Sequence, residues 1–61
     1  MKALIKLTSA DGPLYVNPEY IATISGYYTG SALFIGHDNK ATIVRESPET
    51  IIEAIKSAYA E

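Results

Sequence analysis

Short strand-like segments separated by turns fill the first 46 residues, and a period near 3.6 follows. In residues 2–8, Ala3, Ile5 and Leu7 share one face, while Leu4, Lys6 and Thr8 share the other. This is the signature of a strand with one wet side. Asp11-Gly12-Pro13 reads as a turn, because glycine relaxes φ and proline fixes it. Residues 14–16 then return as the second strand of a hairpin. Asn17-Pro18 ends that strand, and Pro18-Glu19-Tyr20 forms a tight helical turn. A third strand is predicted over residues 21–28, followed by a turn at Thr29-Gly30-Ser31.

In residues 32–35 both faces are apolar, Ala32 and Phe34 against Leu33 and Ile35, which predicts a strand that is central or covered on both sides. Gly36-His37-Asp38-Asn39 has the composition of a hairpin loop, and residues 40–46 form the last strand. The spacing predicts a helix over residues 48–60. Ser47 is a good N-cap, Pro48 suits the first helical position, and Glu49 suits the positive end of the dipole. Ile51, Ile52, Ile55, Ala58 and Tyr59 form its apolar stripe. The fold class expected is therefore α+β: an antiparallel meander or small open barrel of about five short strands, then one C-terminal helix, in a single domain spanning residues 1–61.

Size bears on how such a fold is held. A folded chain of 6.6 kDa exposes about 3,900 Å² and hides roughly 60% of its unfolded surface. A core that thin supplies about 3–5 kcal/mol. The chain has no cysteine, so a disulfide is excluded, and its single histidine argues against a zinc site. Self-association is the expected remaining support, and an open sheet edge is a second reason to expect it.

Composition narrows the function classes. Nearly half the residues are hydrophobic and a fifth are charged, a globular balance. The apolar run in residues 1–10 is interrupted by Lys6 and is too short for a secretory segment, and no run approaches a membrane span. The compartment expected is the cytoplasm, with which the lack of cysteine agrees. The net charge is −2 and the five basic residues are scattered, which argues against nucleic acid as a partner.

Catalytic sets are missing from the spacing. A nucleophile–base pair would need His37, which sits in a loop beside Asp38. The seven carboxylates are spread out, and the glycines match no phosphate-binding or dinucleotide pattern. No enzyme activity, metal or cofactor is expected. Tyrosine is the unusual feature, with five at positions 15, 20, 27, 28 and 59. Tyr15 and Tyr59 are expected to be partly buried core residues. Tyr27 and Tyr28, adjacent on a strand, should point to opposite faces, so that at least one reaches solvent. With Tyr20 they form the candidate contact surface, since tyrosine is enriched at interfaces. Lys2, Lys6 and Arg45 form a second candidate patch if the first and last strands pair.

Several stretches carry a family resemblance: Ile5-Lys6-Leu7-Thr8, Asp11-Gly12, Tyr15-Val16-Asn17-Pro18, Ile21 and Ile24, and Thr42-Ile43-Val44-Arg45-Glu46-Ser47 leading into Ile51-Ile52. In these the chain resembles the small FlbD-type (SwrD) flagellar accessory proteins of bacteria, over most of its length except residues 25–40. The resemblance implies the same order of strands and helix, a flagellar role, and no catalytic residue to transfer. The function expected is a non-enzymatic bacterial protein-interaction module, self-associating, that modulates a larger assembly. The alternatives are a phage or prophage inhibitor that binds a host protein or sequesters a small ligand between subunits and, more weakly, a nucleic-acid-binding regulator.

Overall fold

The computed structural model describes residues 4–37 and 39–60. In chain order these form β1 (Ile5–Ser9), β2 (Gly12–Val16), a 3-10 turn (Pro18–Tyr20), β3 (Ile21–Tyr27), β4 (Gly30–Ile35), β5 (Thr42–Val44) and α1 (Pro48–Tyr59). The strands make two antiparallel sheets, the hairpin β1-β2 and the meander β3-β4-β5, with no closed barrel. The α+β order expected from the periodicity is the order observed.

Each hairpin closes through a two-residue loop, Ala10-Asp11 between the pair Ser9 and Gly12, and Tyr28-Thr29 between Tyr27 and Gly30. Both loops begin earlier than the glycines indicate, because Gly12 and Gly30 are already the first residues of their return strands. Gly12 does use its conformational freedom, at φ 120. Gly30 is glycine for lack of space: a Cβ there would run into the Val44 carbonyl oxygen and lie 3.0 Å from the Arg45 Cα.

The core follows from strand alternation. Ile5, Leu7 and Val16 point inward from the first sheet, Leu33 and Val44 from the second, and Ile51 from the helix. Leu14, Ile21, Ile24, Ile35, Ala54, Ile55 and Ala58 pack around them. β4 is the central strand of its sheet, as its two apolar faces predict. The face carrying Leu33 and Ser31 is sealed. On the other face Ala32 lies between Ser25 and Ile43, and Ile43 is exposed.

The helix begins as its sequence dictates. The Ser47 hydroxyl accepts from the Thr50 N–H at 3.3 Å, Pro48 opens the first turn, and Glu49 sits at the positive end. Its buried stripe is narrower than the one expected. Ile51 is fully buried and Ala54, Ile55 and Ala58 flank it, whereas Ile52 and Tyr59 stand on the shoulder and stay largely exposed. The other tyrosine expected in the core is also outside. Tyr15 is 60% exposed, because β2 turns Leu14 and Val16 inward and leaves Tyr15 beside Lys6 on the wet face.

Candidate interaction surface

The surface depends on how the two sheets are joined, and they are joined at Thr8. Ser9 and Gly12 close a two-residue loop and so bond to each other; alternation then turns the N–H and C=O of Thr8 away from β2. Both groups find partners in the segment after β5. The Thr8 carbonyl accepts from the Arg45 N–H at 2.8 Å. The Thr8 N–H donates to Glu46 Oε1 and its hydroxyl to Glu46 Oε2, each at 2.9 Å. The Glu46 carbonyl in turn accepts from the fully buried Ser31 hydroxyl at 2.7 Å. This clamp explains why β5 stops at Val44 rather than running to residue 46. The backbone bends so that Glu46 can reach Thr8.

Burial of Glu46 pushes its carboxyl pKa up, but the hydrogen bonds from the Thr8 N–H, the Thr8 hydroxyl and its own N–H outweigh that, and the group titrates below its ordinary value. Because the folded pKa is depressed, the clamp's contribution is present above the unfolded value of about 4.3 and is lost as pH falls through the lower, folded value. Sequence reasoning placed Glu46 at a strand end and gave it no role. The capping segment beside it offered no signal that its side chain would fold back 38 residues.

Tyr27 and Tyr28 occupy the tip of the second hairpin. Tyr28 leaves the strand, so the two side chains do not alternate across the sheet as expected. Their rings meet edge to face, with centroids 4.7 Å apart and planes at 88°. Tyr28 is 92% exposed and has φ 55. The mirror-image turns of tight hairpins require positive φ at this loop position, where glycine, asparagine or aspartate is the usual occupant.

Tyr20 does not join them. It is 64% exposed, but it precedes Ile21 at the far end of β3, about 20 Å away by strand rise. Its carbonyl accepts from the Gly36 N–H at 2.6 Å, which ties the 3-10 turn to the end of β4.

The basic patch is also divided. Lys6 is exposed on the outer face of β1, opposite Tyr15 and on the same face as the exposed Leu4. Arg45 is exposed just beyond β5. No ladder pairs β1 with β5, and the two strands meet through the Thr8 junction. Lys2 lies outside the described residues, as does Asp38. His37 is exposed in the turn after β4. Among the described residues, no three of the histidine and carboxylate side chains converge, no cavity forms, and no helix is long and apolar enough to cross a membrane.

No family model, curated protein or solved structure matches the chain.

Proposed function

We propose that this chain is a non-enzymatic bacterial protein-interaction module, self-associating, that modulates a larger assembly. The observation that carries this reading is Tyr28. A large aromatic side chain held almost wholly in solvent, at a backbone angle that costs a non-glycine residue about 1 kcal/mol or more, gives the fold little beyond its contact with Tyr27. Glycine would serve the turn better. Tyrosine there, braced by Tyr27, has the character of an anchor for a protein surface. The dispersed carboxylates and the single exposed histidine support binding over catalysis. The flagellar setting follows from the resemblance to FlbD-type proteins. Thr8 and Glu46, two of the residues that carry it, meet in the clamp between the sheets, so the likeness bears on architecture first.

The test is to compare the unaltered protein with Tyr28→Gly in affinity capture from bacterial lysate, together with thermal unfolding. A partner retained by the first and lost by the second, with unfolding temperature unchanged or raised, supports the reading. Equal capture by both, or no capture by either, would end the role of the hairpin tip.

A further inference from the structure

Of the four sheet edges among the described residues, those of β1 and β5 meet at the Thr8–Arg45 junction, which leaves the edges of β2 and β3, and these two are not equivalent. β2 contains Pro13, which withholds a donor from its outer edge, and Pro18 follows closely after it. β3 is seven residues long and contains neither charge nor proline. Residues 22, 23 and 25–27 are exposed, and no backbone bond outside its own sheet reaches residues 22–27. Edges of this length are ordinarily blunted by a charge, a proline or a covering element. Here the blunting is a bulge near Ala22, which leaves residues 23–27 in regular register with β4. Tyr27 and Gly30 close a two-residue loop and bond to each other, so alternation turns the N–H and C=O of Ile24 and Gly26 outward.

We propose that β3 pairs antiparallel with β3 of a second copy about a two-fold axis at Ser25, joining the two meanders into one six-stranded sheet. The proposal rests on the self-associating reading above and specifies where the copies meet. Two observations favour a second copy as the occupant. The strand is neutral in a chain of net charge −2, so two copies meet here without like charges opposed. Centring the axis on Ser25, the middle of the regular stretch, sets Thr23 opposite Tyr27 of the other copy twice over, a favourable cross-strand pair of hydroxyl-bearing β-branched and aromatic side chains. Because the contact is isologous it closes at two subunits, and Pro13 guards the edge that remains.

Ser25 lies on the axis, so one substitution opposes itself. The unaltered protein, Ser25→Lys and Ser25→Glu are compared by sedimentation and native mass measurement from micromolar to millimolar concentration, with circular dichroism to verify folding. The expected result is a dimer for the unaltered protein, at least a tenfold weaker one for each variant alone, and a one-to-one heterodimer when the two variants are mixed. Hydrogen exchange on the unaltered protein gives a readout free of substitution: the Ile24 and Gly26 amides should exchange slowly in the dimer and quickly on dilution. A monomer throughout overturns both this pairing and self-association. A dimer indifferent to both substitutions, or variants that fail to recombine, or unprotected amides in a dimer, overturns the β3 pairing and leaves association at another surface.

Discussion

The two hairpins share a loop length and a glycine at the same loop-closing position, yet they are stabilised in different ways. In the first, the backbone is braced locally. The Ser9 hydroxyl donates to the Gly12 carbonyl at 2.9 Å and accepts from the Asp11 N–H at 3.3 Å, and Gly12 takes up the awkward angle. In the second, the glycine has an ordinary φ and the awkward angle falls on Tyr28. Gly30 is reserved for a different need, the approach of the Val44–Arg45 backbone. The first hairpin is built to hold. The second carries a positive φ at a tyrosine and exposes an aromatic pair.

Substitutions that exchange these roles test the contrast, beginning with the largest effect. Gly30→Ala forces a Cβ into a backbone carbonyl, which only separation of β4 from the segment after β5 can relieve. A loss of about 4 kcal/mol or more is expected, comparable with the whole stability of a domain this small. Circular dichroism should show the variant largely unfolded at room temperature. Gly12→Ala meets no atom within 4 Å but must adopt φ 120. It should cost about 1–3 kcal/mol in urea unfolding, with the fold retained. If the two alanine variants were equally damaging, the distinction between a conformational and a spatial glycine would fail.

Glu46→Gln keeps the shape of the clamp and removes the charge that strengthens its hydrogen bonds. A loss of about 1.5 kcal/mol is expected at pH 7. The sign with pH is fixed by the lowered pKa: the parent should lose this advantage as pH falls below about 4.3, while the variant shows no such step from this position. Unfolding midpoints of the two proteins should therefore converge as pH falls through the depressed folded value. Tyr28→Gly is the smallest change. Relief of the positive φ contributes about 1 kcal/mol and loss of the Tyr27 ring contact offsets about 0.5 kcal/mol of it, so the unfolding temperature should hold or rise slightly.

Much of the fold was legible because it rests on local rules. Ser47-Pro48-Glu49 starts the helix, Asn17-Pro18 makes the 3-10 turn with the Asn17 side chain accepting from the Glu19 N–H, and alternation sets Ile5 and Leu7 inward. The misreadings share a physical origin. Gly30 reads as a turn residue because turn chemistry and close backbone approach both call for glycine, and only the neighbouring strand distinguishes them. That shifted Tyr28 into the strand and predicted opposed tyrosines where the rings in fact meet. Its position in a strand suggests the core for Tyr15, although the alternation of Leu14 and Val16 turns it outward. At the candidate surface, Tyr27 and Tyr28 were found from composition. Their separation from Tyr20 follows from the length of β3, which the pattern did contain. The clamp at Glu46 was invisible because it pairs groups remote in the chain.

That remoteness has a kinetic consequence. Both hairpins close over two-residue loops and can form on the microsecond scale, whereas the bonds between Thr8 and Glu46 join residues 38 positions apart in the chain. By this measure they are expected to form last, when the two sheets dock. Weakening them should leave the folding rate almost untouched and appear instead as faster unfolding. The clamp thus governs how long the native state persists rather than how quickly it is reached.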